Sequence, residues 1–198
     1  MKFQTGDIAI SLVEWPGHVM MCYSGGDEYS DKTIIIHANN ANNFHKVTQM
    51  FERDGSIGYM FDSDRHWIFR PPWGHLAPEL AAQRMRELQA VADAIAHSAT
   101  YGGYRAFRLF AGDSSFGAGA RERLEKYRGR RALVLAGGAP GKFVTKVSCA
   151  EAVILAYQII FSEQDKPFFI NKDAAHTMPG TLKDWLEANW ETVSRGKG

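Results

Sequence analysis

Cys149 stands at the start of an apolar run, where a thiol can take part in chemistry. Ser148 and Glu151 lie three residues apart, directly before the run from Ala152 to Phe161. This is the capping-box spacing, in which each side chain accepts a hydrogen bond from the other residue's backbone N–H. Cys149 is then the first residue of a helix. Unpaired N–H groups at a helix start favour an anion, so we expect a lowered thiol pKa and a thiolate that attacks an acyl carbon, with the same groups holding the oxyanion.

A cysteine nucleophile also needs a base within hydrogen-bond reach, and histidine is the usual one. His18 begins the segment HVMMCY and His37 ends the segment TIIIH. A hairpin of these two segments would bring the two imidazoles together on one face. Alternation along HVMMCY puts His18, Met20 and Cys22 on the same face, and we interpret Cys22 as a core residue. The other histidines, predicted to be surface or structural, are His45, His66, His75, His97 and His176.

Segments rich in Val, Ile and Tyr, separated by turn-forming residues, predict about five antiparallel strands in the first half of the chain. They are Asp7 to Val13, His18 to Tyr23, Thr33 to His37, Ser56 to Phe61 and His66 to Arg70. Strands that precede helices in this way are typical of the α+β class, with an antiparallel sheet packed against helices.

Three further segments have helical patterns. Pro78 to Ser98 repeats apolar residues at spacings of three and four, and Thr181 to Trp190 does the same with Thr181 as a possible cap. Arg121 to Arg131 is predicted to be a short surface helix within the otherwise irregular stretch 106–146. Its basic residues alternate with Glu122 and Glu125, which favours salt-bridged exposure over a phosphate-binding track.

The whole chain has 198 residues and a formal net charge of +1. The length favours one domain over residues 1–198, and the charge gives no field that would attract nucleic acid or an anionic membrane. The two cysteines are expected to be reduced thiols. The start of the chain has no signal-peptide pattern, and no apolar run approaches the length of a spanning helix. We therefore expect a cytoplasmic protein, or one exported by a route that needs no signal peptide, without stable membrane insertion.

The order of these motifs resembles a known family. A GDI strand comes first, GHV opens the next strand, a third strand ends in His37, a long helix runs into YGGY, and SCAE follows. This order resembles the circularly permuted NlpC-type papain-fold hydrolases, which include the YiiX-like bacterial proteins and the lecithin retinol acyltransferase-like enzymes. The resemblance spans about Gly6 to Tyr157. It implies a papain-like fold with Cys149 as nucleophile, His18 as base and His37 as the third polar residue of a Cys-His-His triad.

YiiX-like members often have an acid at the third position and the acyltransferase-like branch has histidine, so the branch stays open. The stretch from Ala106 to Lys146 has no counterpart in the family pattern.

These residues lead us to expect a hydrolase that cleaves an amide bond of a peptide or peptidoglycan stem through a thioester on Cys149, without a cofactor. The alternatives are an acyltransferase, a lipid esterase or thioesterase, and a glutamine deamidase. Trp15 and Ser148 are candidate substrate contacts, and an exported effector would also meet a secretion-system or immunity partner. Two non-enzymatic alternatives are a zinc site formed by His18, His37 and Cys149, and a binding module on a degenerate papain scaffold.

Overall fold

The structure is a computed structural model. It describes residues 1–13, 17–26, 34–39, 46–51, 65–102, 113–138 and 143–196. The predicted strand Ser56 to Phe61, Trp15 and His45 lie outside these ranges.

An antiparallel sheet of six strands organises the described part of the chain. Its strands are β1 (Ile8–Ser11), β2 (His18–Ser24), β3 (Ile34–Asn39), β4 (Lys46–Phe51), β5 (Trp67–Arg70) and β8 (Glu191–Ser194). Their spatial order is β4-β3-β2-β1-β5-β8, so β2 and β1 occupy the middle. A separate parallel pair joins β6 (Thr100–Tyr101) to β7 (Lys146–Val147).

Helices cover one face of the sheet. They are α1 (Pro78–Ser98), α2 (Ala118–Arg128), α3 (Arg131–Leu135), α4 (Cys149–Ile160) and α5 (Pro179–Asn189). Short 3-10 turns occur at Trp73–His75 and Ala174–His176. Every residue of α4 is buried, because this helix packs against β2 and β3 on one side and against α1 and α2 on others.

The two faces of the sheet belong to two separate hydrophobic clusters. Val19 and Met21 of β2 pack in the large cluster that contains α1 and α4. Met20 and Cys22 pack in a smaller cluster with Ile35 and other residues of the opposite face. The alternation predicted for HVMMCY is therefore confirmed, and so is the interpretation of Cys22 as a core residue.

The α+β class is confirmed, whereas the papain-like identity of the fold stays a prediction, as does the single domain. The helix predicted at Pro78 to Ser98 has those bounds. The surface helix predicted at Arg121 to Arg131 corresponds to α2 and α3, and its basic residues form ion pairs such as those of Arg121 with Glu163 and Arg131 with Glu87. Strands β4, β6, β7 and β8 were not predicted.

Candidate functional site

Cys149 is the first residue of α4, as the sequence predicts, and a complete capping box precedes it. The Ser148 hydroxyl accepts a hydrogen bond from the Glu151 backbone N–H at 3.1 Å, and the Ser148 N–H donates to Glu151 Oε2 at 3.3 Å. All three residues are buried. The cap therefore fixes the first turn of the helix that carries the sulfur.

The electrostatic prediction for the Cys149 thiol was wrong in direction. Cys149 is only 7% exposed, and burial raises the pKa of its thiol above the ordinary value. The backbone N–H groups of Val19, Ala150 and Cys149 itself lower the pKa of the thiol, but they do not outweigh burial. The free-energy cost of removing water from around a thiolate exceeds the stabilisation that the start of the helix supplies. Cys149 is therefore a neutral thiol near neutral pH, with backbone N–H groups directed at its sulfur.

His18 and His37 form a direct hydrogen bond, as the predicted hairpin requires. His18 Nε2 lies 2.8 Å from His37 Nδ1, and the two ring planes stand nearly perpendicular, at 85°. One nitrogen of this pair must donate and the other must accept, so the contact fits two neutral rings or one charged ring, but not two charged rings.

Both imidazoles favour the neutral form. Burial lowers the pKa of His18 to about 3, with further contributions from His37 and His66. Burial also lowers the pKa of His37 to about 4. Both rings are therefore uncharged near neutral pH, and the ring that accepts the hydrogen bond uses its only lone pair in doing so.

The Cys149 sulfur and the imidazole pair lie on opposite sides of the beginning of β2. The Val19 N–H acts on the Cys149 thiol and lowers its pKa, and this amide nitrogen is covalently joined to the carbonyl carbon of His18. Alternation, however, points the His18 side chain to the Met20 face, whereas Val19 faces α4. Within the described residues, no hydrogen bond joins the Cys149 thiol to either imidazole. The nucleophile lies beside the backbone of the predicted base, but not against its ring.

The other predicted contacts have different outcomes. The Ser148 hydroxyl is engaged in the helix cap, and its role as a substrate contact stays a prediction. Trp15 falls outside the described residues.

His66, assigned from the sequence to a surface or structural role, is buried and acts electrostatically on His18. Its burial could have been inferred from the sequence, because His66 stands two residues before the apolar Ile68. This spacing puts both side chains on the sheet face that holds Met20.

Among the described residues, His, Cys, Asp and Glu side chains form no group of three or more that could hold a metal ion. In the same part of the chain, none of the helices combines the length and the apolar character needed to cross a membrane.

Comparisons with protein-family models, with curated proteins and with solved structures found no match to this chain. The geometry of the site and the resemblance of its motifs are therefore the two supports for a functional proposal.

Proposed function

We propose that the protein is a thiol-dependent hydrolase that cleaves an amide bond of a peptide or peptidoglycan stem, with Cys149 as its nucleophile. The observation that carries the proposal is the position of the sulfur at the first residue of a capped helix, with backbone N–H groups of Val19, Ala150 and Cys149 directed at it. In the proposed reaction these donors, which lie beside the sulfur, stabilise the oxyanion that forms on the carbonyl oxygen when the thiol attacks. The amide class and the family rest on the resemblance of the sequence motifs.

The proposed reaction begins from neutral groups. His18 takes the thiol proton while the sulfur bonds to the acyl carbon and the carbonyl oxygen becomes an oxyanion. His18 then gives this proton to the leaving amine as the C–N bond breaks, and water cleaves the thioester. The hydrogen bond to His37 supports a role for His37 in fixing the tautomer of His18.

The proposal requires a local movement before the attack, because the His18 ring faces His37 and not the sulfur. His18 is the first residue of β2 and follows Gly17, which has a φ of +90°. Glycine has access to more backbone conformations than any other residue, so we place this movement at the Gly17–His18 step. Catalytic hydrogen bonds often become short only when substrate binds.

The test uses quenched peptide amides, including peptidoglycan-stem peptides, with intact-mass detection of an acyl adduct. We expect wild-type protein to release product and to carry a thioester adduct on Cys149. Cys149→Ala should abolish both, whereas His18→Gln should lower kcat by about 10²–10⁴-fold. Cys22→Ala is the matched control, since Cys22 is also a buried cysteine outside any disulfide but lies in the other cluster.

Turnover of such a substrate by Cys149→Ala at the wild-type rate would refute the proposal. Formation of a new amide or ester when an amine or alcohol is added would instead assign the protein to acyl transfer.

A further inference from the structure

A second polar region lies under α4, on the side that faces α2. It is a cavity of about 30 Å³, measured as the space open to the centre of a water molecule. Its lining includes Ala120, Arg123, Glu151, Gln158, Asp173 and Ala174. The cavity is distinct from the sulfur site, although Glu151 belongs to the cap that precedes Cys149.

The side chain of Gln158 indicates what occupies the cavity. Gln158 is only 1% exposed, and its amide nitrogen donates hydrogen bonds to the backbone carbonyls of Ile170 at 2.8 Å and Lys172 at 2.7 Å. These two bonds fix the orientation of the amide, because both partners are acceptors. The remaining atom, Oε1, has no hydrogen-bond partner among the described residues. A buried amide oxygen without a donor destabilises the folded protein.

The size and the polarity of the cavity determine what can supply that donor. One water molecule needs roughly 10–15 Å³ by this measure and two or more polar partners. The volume therefore corresponds to about two water molecules. Besides the Gln158 amide, the lining offers the guanidinium of Arg123 and the carboxylates of Glu151 and Asp173.

Arg123 and Asp173 form an ion pair at 2.6 Å beside the cavity. Among the described residues, no group of three or more His, Cys, Asp or Glu side chains could hold a metal ion here.

We infer that this cavity is a hydration site that binds one or two ordered water molecules, one of which donates a hydrogen bond to Gln158 Oε1. The water completes the hydrogen bonding of α4 at its only glutamine. It thereby joins the helix of the candidate nucleophile to α2 and to the segment that contains Asp173.

A variant that fills the cavity should destabilise the protein if the cavity holds water, and should not destabilise it if the cavity is dry. Ala120→Val adds methyl groups from a buried residue that lines the cavity. Ala118→Val is the matched control, because it adds the same groups at an exposed residue of the same helical turn. If water is displaced and Oε1 loses its donor, we expect Ala120→Val to lower the folding equilibrium constant about tenfold or more relative to Ala118→Val in urea unfolding.

A second pair of variants separates loss of water from overpacking. In a Gln158→Met background there is no amide oxygen to hydrate, so the additional cost of Ala120→Val should disappear. An equal cost in both backgrounds, or an Ala120→Val protein as stable as Ala118→Val, would overturn the inference. In a high-resolution crystal structure of the wild-type protein we expect water density about 2.7–3.2 Å from Gln158 Oε1. A protein donor at that position, or no density there, would also overturn it.

Discussion

The protonation state of Cys149 decides how the proposed chemistry must start. In a chain whose helix start lowers the thiol pKa, an anionic sulfur would be present before substrate arrives. Here burial raises the pKa of the thiol, and both histidines of the candidate site are neutral. Attack therefore has to be coupled to proton transfer, as it is for a hydroxyl nucleophile, and the N–H groups around the sulfur act only as charge develops.

Because the Cys149 thiol is neutral, we expect it to be alkylated slowly in the native protein. With iodoacetamide near neutral pH, we expect Cys149 to react more slowly than a free thiol, and its rate should rise with pH beyond the ordinary thiol pKa of about 8.5. Cys149 should still react faster than Cys22, which is 0% exposed against 7% for Cys149. Peptide mass spectrometry after timed quenching measures both rates. A Cys149 rate that is already at its plateau in mildly acidic buffer would show that the thiolate forms readily.

The paired imidazoles predict that stability decreases in acid. The histidines of the unfolded chain bind protons near the ordinary pKa, whereas His18 and His37 have pKa values of about 3 and about 4 in the folded protein. The unfolded state therefore takes up protons first as the pH falls. The contribution of the pair to stability is complete above a pH of about 6.5 and is lost progressively as the pH falls towards the two folded values.

Between a pH of about 7 and about 5 we expect the free energy of unfolding to decrease by on the order of 2–4 kcal/mol. Urea unfolding at the two pH values measures the change. The double variant His18→Gln/His37→Gln should lose most of this pH dependence. His75→Gln, which alters an exposed histidine, should keep it. If the free energy of unfolding depends on pH equally in the double variant and in the wild type, His18 and His37 are not held neutral in the folded protein.

At the scale of the element, α4 depends on its cap. The Ser148 hydroxyl and the Glu151 carboxylate each satisfy a backbone N–H that would otherwise be buried without a partner. We expect Ser148→Ala to lower the free energy of unfolding by about 1–2 kcal/mol in urea titration, because both partners of the hydroxyl bond are buried.

Thr181→Ala is the matched control for the cap. The sequence suggests Thr181 as the cap of the last helix, but α5 begins at Pro179, so Thr181 lies inside its first turn. Its replacement should change stability by no more than about 0.5 kcal/mol. A cost for Thr181→Ala equal to that of Ser148→Ala would show that the Ser148 hydroxyl bond is not what stabilises α4.

Features that depend on neighbouring residues were predictable from the sequence, whereas features that depend on long-range packing were not. The capping box of Ser148 and Glu151, the helix from Pro78 and the alternation along HVMMCY are local patterns, and all are present in the structure. The pKa of the Cys149 thiol depends on how deeply α4 is buried against β2, which no local spacing reveals. The position of the His18 ring relative to the sulfur likewise depends on which face of the sheet α4 covers.

At the scale of the whole molecule, two long-range contacts attach the first residues of the chain to the core. Asp7, which is fully buried, accepts two hydrogen bonds from the Arg70 guanidinium, at 3.1 and 2.8 Å. One residue earlier, the carbonyl of Gly6 accepts a hydrogen bond from the Tyr157 hydroxyl of α4 at 2.5 Å. The turn before β1 is thereby joined both to β5 and to the helix that carries Cys149.

Gly6 is the position at which this arrangement is most sensitive to a single added carbon. Its φ is +91°, and a Cβ built there would lie 2.6 Å from the Tyr157 hydroxyl oxygen. We expect Gly6→Ala to lower the free energy of unfolding by about 2–4 kcal/mol, since it combines a strained backbone with a steric clash. Gly180→Ala is the matched control, because nothing lies within 4 Å of its added carbon in α5, and alanine there should raise stability by about 0.5–1 kcal/mol. Urea unfolding measures the difference in stability between the two variants. A Gly6→Ala protein as stable as Gly180→Ala would show that the turn before β1 does not hold the N-terminal segment against α4.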